Sequence, residues 1–190
     1  MRSRVAHRSR PCAGEIANGD RALARPLDDG VLLAVVDGLG HGPDAERAAR
    51  LALEVLEREP ATDPVALIEL THRALRGSRG AAMTVAIARG RTLEVAGVGN
   101  VELRATGGVS LSPRPTPGIV GGAIPQRVRA HAAALSGPAR VVIVSDGVAR
   151  RFEWRTLEPL GPEEASELLL AQHSTPRDDA TALVADLEPG

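Results

Sequence analysis

Acidic residues in this sequence adjoin segments whose composition predicts buried strands. Each such aspartate directly follows or precedes an apolar run: Asp37 after 31–36, Asp146 after 141–145, and the pair Asp178–Asp179 before 180–184. Continuous aliphatic runs are typical of interior strands, so these carboxylates are expected at strand ends, facing a cleft rather than bulk water. Carboxylates at several strand ends predict one shared site.

Oxygen ligands of this kind suit hard divalent cations. Mg²⁺ and Mn²⁺ prefer carboxylate and carbonyl oxygens and keep several waters. Two such ions held by a few carboxylates turn water into a nucleophile near neutral pH and neutralise an incoming phosphate. The candidate ligands are Asp37, Asp146 and Asp178, followed by Asp20. Gly38 is a further candidate, because a glycine lets its backbone carbonyl approach an ion or its water closely.

Simpler interpretations exist for each residue. An Asp-Gly pair after a strand is ordinarily a turn, and only the coincidence of three such sites favours a metal centre. The glycines at 38–42 also fit a dinucleotide loop, but the spacing is not the full fingerprint and Asp37 would repel pyrophosphate. His41 is either an acid or donor beside the site or a solvated turn residue. Cys12 lacks an arginine six residues on, where Asn18 stands, which excludes a thiolate phosphatase loop.

Composition limits the class of protein. A chain of 190 residues with 43% hydrophobic content can bury one core, so we expect a single domain over 14–190, with residues 1–13 disordered or loosely attached. The net charge of -1 gives no reason to expect nucleic-acid or membrane binding. One cysteine and the absence of an apolar stretch after the basic N-terminus favour the cytoplasm.

Periodicity and turn residues predict blocks of strands and helices rather than strict alternation, which favours α+β layers. Gly-based turns between short apolar runs predict an antiparallel meander, and proline density predicts a long loop before the last elements. The expected strands are at 15–23, 31–37, 82–88, 92–98, 101–106, 109–111, 127–133, 140–145 and 180–186, with helices from 43 onward, at 63–76 and at 162–172, and the loop at 112–125.

The order of several short motifs resembles a known family. They are Asn18-Gly19-Asp20, VVDGLGHG at 35–42, VGN at 98–100, TPGIVGG at 116–122, VVIVSDGV at 141–148 and RDDATALV at 177–184. Together they resemble the bacterial SpoIIE-type branch of the metal-dependent, type 2C-like serine/threonine phosphatases, over residues 14 to 187. The resemblance implies an αββα sandwich of two antiparallel sheets flanked by helices.

The resemblance also implies a dinuclear Mn²⁺ or Mg²⁺ centre in the cleft between the sheets. Its ligands would be Asp37, the Gly38 carbonyl, Asp146 and Asp178. Asp20 would lie nearby, through water or a third ion. Asp179 replaces Asp178 if the strand register slips by one residue. Eukaryotic members carry a histidine directly after the Asp-Gly, where this chain has Leu39, so His41 is displaced by two positions as a candidate acid.

The implied activity is hydrolysis of phosphoserine or phosphothreonine on a bacterial signalling partner, of stressosome or anti-sigma-antagonist type. A phosphorylated STAS-type domain is the expected substrate, docked by the helix pair at 43–76 and the loop at 112–125. Direct attack by metal-activated water follows from the lack of a credible Cys or His nucleophile, and a monomer is expected. Two alternatives stay open: a catalytically weak scaffold that binds partner proteins, and a small-molecule metal hydrolase, which would require a deep apolar pocket.

Overall fold

Nine strands and four helices form the part of the chain that the computed structural model describes, residues 1–124 and 126–190. The elements are numbered in the order in which they occur along the chain. The strands are β1 Arg2–Arg10, β2 Asp20–Leu27, β3 Gly30–Gly38, β4 Ala81–Arg89, β5 Thr92–Val98, β6 Glu102–Gly107, β7 Ala130–Ala134, β8 Ala139–Val144 and β9 Ala180–Glu188, and the helices are α1 Pro43–Arg58, α2 Pro64–Ala74, α3 Trp154–Leu157 and α4 Pro162–His173.

The strands form two antiparallel sheets, one with the order β1-β9-β8-β6 and the other with the order β2-β3-β4-β5-β7. Helices α1 and α2 pack on the five-stranded sheet, and α4 packs on the four-stranded sheet. The expected αββα sandwich is therefore confirmed. No helix in the described residues is long and apolar enough to cross a membrane.

Strand β3 shows how one apolar run serves two layers. Successive side chains of a strand point to opposite faces. Val31, Leu33 and Val35 belong to the core between the sheets, whereas the residues between them pack toward the helices. Asp37 continues the series that faces the opposite sheet. The alternation therefore carries its carboxylate to the mouth of the space between the two sheets.

Helices α1 and α2 begin where the sequence predicted. Pro43 opens α1, and the buried face of the helix is the predicted one, consisting of Ala45, Ala48, Ala49, Ala52, Val55 and Leu56. Asp63 caps α2, since its side chain accepts a hydrogen bond of 2.9 Å from the backbone N–H of Ala66. Small alanines let α1 lie close to the sheet in a chain that is only 1% aromatic.

The expectation of a loosely attached N-terminus is wrong for residues 2–10. They form β1, an edge strand paired along its length with β9, from Arg2 opposite Glu188 to Arg10 opposite Ala180. Val5 packs on the core between the sheets. The arginine-rich sequence of this segment has no apolar alternation that would predict a strand. Charged residues are nevertheless common on edge strands, where they discourage pairing with further strands.

The predicted meander is also wrong beyond β5. Strand β6 leaves the sheet of β3, β4 and β5 and pairs with β8 in the other sheet. The chain crosses at Gly99, whose φ of +94° and whose closeness to Ala82 exclude a side chain. Residues 109–111 form only an isolated bridge to β6, and β2 begins at Asp20 rather than at residue 15. The predicted loop at 112–125 is observed up to residue 124, and Pro125 lies outside the described residues.

Candidate metal centre

Two of the candidate ligands face each other across adjacent strands. Asp20 is the first residue of β2 and pairs directly with Asp37 near the end of β3. Like charges directly opposite in a sheet repel, and burial strengthens that repulsion. A pair of this kind weakens the metal-free fold, so its presence indicates a function that requires negative charge.

Asp20 is held from the opposite sheet. It is 1% exposed, and its Oδ2 accepts a hydrogen bond of 2.5 Å from the Ser145 hydroxyl. Ser145 in turn exchanges hydrogen bonds with the backbone of Thr181 on β9. Burial raises the pKa of Asp20 to about 7, the hydrogen bond from Ser145 opposes this rise, and the charge of Asp179 adds to it. Oδ1 of Asp20 is buried without a partner among the described residues.

The pKa of Asp37 is raised further than that of Asp20. Burial is the largest cause that raises its pKa to about 9, followed by the charges of Asp20 and Asp146 and then those of Asp178 and Asp179. These groups come from four separate segments of the chain. The structure thus brings the acidic residues singled out in the sequence into one electrostatic cluster.

Asp146 follows β8 in a tight turn and is exposed. A Cβ on the next residue, Gly147, would lie 1.9 Å from the backbone oxygen of Asp179, so only glycine fits between these segments. Oδ2 of Asp146 accepts a hydrogen bond of 2.6 Å from the Asn100 side chain. Sequence reasoning gave Asn100 no role beyond its place in the VGN motif. Its position after the crossover at Gly99 lets it orient Asp146.

Asp178 and Asp179 differ in their surroundings. Asp179 is 2% exposed, and its two oxygens accept hydrogen bonds from the backbone N–H groups of Cys12 (2.7 Å) and Gly19 (2.8 Å). Asp178 is half-buried, and burial, followed by the charge of Asp146, raises its pKa while nearby His41 lowers it. Asp179 therefore fastens the segment before β2, whereas Oδ1 of Asp178 accepts a hydrogen bond of 2.9 Å from the backbone N–H of Asp179.

Gly38 and His41 flank the aspartates. A Cβ on Gly38 would lie 2.2 Å from the backbone oxygen of Ala45, so α1 packs directly on the strand end. His41 lies at the exposed rim, with its Nδ1 3.0 Å from Oε1 of Glu15. Two nearby arginines serve the fold. Arg21 donates to the backbone oxygens of Asn18 and Asp20 and to Glu46, and Arg25 donates to the backbone oxygens of Glu57 and Glu59.

The chemistry of this donor set fits divalent cations. It combines buried carboxyls of raised pKa, an unpartnered carboxylate oxygen on Asp20 and only oxygen donors. Within residues 1–124 and 126–190, no three His, Cys, Asp or Glu side chains come together tightly enough to enclose one ion. A hydrated centre, in which each ion takes few protein ligands and keeps several waters, does not require such a group.

The chain is similar to known proteins over nearly its whole length. No protein-family model matches the chain. The phosphoserine phosphatase RsbX of Bacillus subtilis (strain 168) is 26% identical over 179 residues, which cover 92% of this chain and 89% of RsbX. A solved chain from work on the bacterial stressosome, described as a modular system adapted to control secondary messenger signaling, is 31% identical. The match has a TM-score of 0.93 and covers 97% of this chain and 100% of that one.

Two further solved structures share the fold and hold metal ions. RsbX in complex with magnesium has a TM-score of 0.86 and 24% identity, and the match covers 98% of this chain and 96% of RsbX. The catalytic domain of the serine threonine protein phosphatase PstP, in complex with 2 manganese ions, has a TM-score of 0.74 and 20% identity, with 97% of both chains covered. At these identities the likeness concerns the fold alone.

Proposed function

The chain belongs to the PP2C-type, metal-dependent serine/threonine phosphatases close to RsbX, and from that membership we propose that it dephosphorylates phosphoserine or phosphothreonine on a bacterial signalling protein. One observation carries the proposal: aspartates from separate segments meet at the mouth between the two sheets, where burial first and then their charges raise the pKa of Asp37 to about 9. A carboxyl cluster of this kind is costly for the fold and useful for holding cations.

In this proposal Asp37, the Gly38 carbonyl, Asp146 and Asp178 hold two Mg²⁺ or Mn²⁺ ions, with Asp20 nearby through water or a further ion. When bound, the ions supply the positive charge that activates water and neutralises the phosphate. Asp20 is kept in place by Ser145, from the opposite sheet.

Other residues orient groups and move protons. Asn100 orients Asp146 through its hydrogen bond of 2.6 Å. His41 is the candidate acid, because Glu15 holds Nδ1 and leaves Nε2 to protonate the departing serine oxygen. No phosphoenzyme is required: water attacks phosphorus, the phosphorus–oxygen bond to serine breaks, and the serine oxygen takes a proton.

The partner is proposed to be a phosphorylated STAS-type or related signalling domain in the cytoplasm, acted on by a monomeric enzyme. The relative from the stressosome work supports this choice. Helix α1 is a candidate docking element, since its exposed face carries the pairs Arg50–Glu54 (3.0 Å) and Arg47–Asp44 (2.7 Å). Glu46 does not pair with Arg50 as its spacing suggests, because it binds Arg21 at 2.6 Å.

A scaffold role is disfavoured by the same cluster. A scaffold has no use for opposed buried carboxyls such as Asp20 and Asp37, which weaken the fold. A small-molecule hydrolase is disfavoured because a cavity of about 540 Å³ lies away from the aspartate cluster, at the far end of β9. It is lined by Arg140, Trp154 and Asp186 among others. None of the site aspartates lines it.

The test is phosphate release from a phosphoserine peptide with Mn²⁺, with and without a chelator. We expect turnover that the chelator abolishes and that Asp146→Asn reduces to background. Asp28→Asn is the matched control, because Asp28 is exposed in the turn at the far end of β2 and β3. Turnover that persists in the chelator, or in Asp146→Asn, would contradict the metal-dependent mechanism.

A further inference from the structure

The cavity of about 540 Å³ at the far end of β9 has no part in the proposed reaction. Its lining comes from one end of β1, β8 and β9 and from the segment that runs from α3 to α4. Trp154, the only tryptophan of the chain, belongs to this lining. Cavities of this size are typical of sites that bind a small molecule or a side chain, so we consider which group would fit.

Arg140 fixes one wall of the cavity. Its Nε and Nη2 donate to the two oxygens of Asp186 at 2.6 and 2.8 Å, and the same guanidinium donates to the backbone oxygens of Leu157 and Leu160. Arg4, the other arginine of the lining, also donates to Asp186, at 3.3 Å. Both arginines are therefore committed to one carboxylate, and the segment 157–160 is fastened to the sheet before any ligand binds.

The remaining charged residues of the lining are two glutamates, Glu158 and Glu188. Both arginines of the cavity pair with Asp186 rather than with these glutamates. Arg2 lies opposite Glu188 in the pairing of β1 with β9, but it does not line the cavity. The lining thus carries three carboxylates and two guanidinium groups, and this excess of negative charge complements a cation.

Trp154 and Glu158 lie one helical turn apart. The backbone N–H of Glu158 donates to the backbone oxygen of Trp154 at 3.1 Å, and side chains four residues apart lie on the same face of a helix. Phe152 packs edge-on against the indole ring, with 5.5 Å between the ring centroids, and Trp154 is still partly exposed. An indole face attracts cations, and a carboxylate beside it adds a charged hydrogen-bond acceptor.

We propose that this cavity binds a guanidinium group, which stacks on Trp154 and pairs with Glu158, while Glu188 adds negative charge. A guanidinium suits the site better than an ammonium, because it is planar, stacks on aromatic rings and donates two parallel hydrogen bonds to a carboxylate. Free arginine and an arginine side chain of a partner protein present this same chemistry. The inference goes beyond the proposed phosphatase function and does not depend on the metal centre.

The test is a fluorescence titration of the whole protein with free arginine, with the blocked peptide Gly-Gly-Arg-Gly-Gly, and with the same peptide carrying citrulline, the uncharged isostere, in place of arginine. Because the chain has one tryptophan and no tyrosine, the emission reports on Trp154. We expect a saturable change with an arginine ligand and none with the citrulline peptide. Glu158→Gln should raise the Kd about tenfold. Glu153→Gln is the matched control, because Glu153 is exposed beside Trp154 but outside the lining.

Calorimetry provides a second measurement that does not need the tryptophan, and Trp154→Leu should show a loss of arginine binding by this method. No saturable binding of either arginine ligand, equal binding of the citrulline peptide, or an unchanged Kd in Glu158→Gln would overturn the inference. An equal loss in Glu153→Gln would also overturn it, because the effect would then reflect general charge. Tighter binding of the peptide would support the site and identify a partner's side chain as its ligand, whereas tighter binding of free arginine would support it with a small molecule as the ligand. Phosphate release is measured separately, so failure of the phosphatase function would leave this result unaffected.

Discussion

Removing the Asp37 charge should stabilise the metal-free protein while abolishing its activity. The pKa of Asp37 rises from 3.8 to about 9, chiefly through burial and then through the charge of Asp20. At pH 7 the folded state therefore keeps a proton that the unfolded state has lost, over about three pH units at about 1.4 kcal/mol each, or about 4 kcal/mol at most. Partial exposure and a protonated Asp20 reduce this cost, so we expect Asp37→Asn to gain about 2 kcal/mol.

That gain corresponds to a rise in Tm of about 4–8 °C for a chain of this size. The assay is thermal unfolding in a chelator, comparing wild type, Asp37→Asn and the control Asp28→Asn. The raised pKa sets the sign of the pH dependence: the contribution of Asp37 to the free energy of unfolding is greatest below pH 3.8 and falls as the pH rises toward 9. The stability advantage of Asp37→Asn over the wild type should therefore be smaller at pH 5 than at pH 7. An unchanged Tm at pH 7, or wild-type turnover by Asp37→Asn with Mn²⁺, would refute the reasoning.

Four further outcomes are expected. Asn100→Ala should weaken Mn²⁺ binding or turnover about 10–100-fold by releasing Asp146, and calorimetry with steady-state kinetics would detect this loss; unchanged values would deny Asn100 a positioning role. Cys12→Ser should leave phosphate release unchanged, whereas a loss would reopen a thiol mechanism. Mn²⁺ binding should release protons and tighten from pH 6 to 8, because the ions displace protons from carboxyls of raised pKa, and titration in buffers of different ionisation enthalpy measures the number released. Charge reversal on the exposed face of α1 should slow a phosphoprotein substrate but spare a chromogenic phosphate ester, and equal loss of both would indicate misfolding. The residues to reverse are Arg47, Arg50 and Glu54, whereas Glu46 is kept because it pairs with Arg21 at 2.6 Å.

Several features could be predicted because they depend on residues close in sequence. The apolar run before Asp37 predicts a strand that ends at its carboxylate, and the helical spacing after Pro43 predicts the buried face of α1. Local turn and capping chemistry placed Asp63 at the start of α2. The layered fold followed from the same patterns together with the family resemblance, and the structure confirms it.

Other features depended on contacts between distant segments. Pairing of β1 with β9 joins residues about 180 positions apart, and its arginine-rich sequence carries no apolar alternation to signal it. The crossover at Gly99 sends β6 to the second sheet, a choice made by packing between the sheets rather than by the strand pattern.

By itself, the sequence determined which aspartates stand at strand ends, because strand alternation and Asp-Gly turns are local. Only the tertiary structure decided that Asp179 binds the backbone before β2 and leaves Asp178 facing the cluster. It likewise decided that Ser145 supports Asp20 from the opposite sheet. The physical reason is that burial and charge–charge distance set a carboxyl group's environment, and both arise only when remote strands come together.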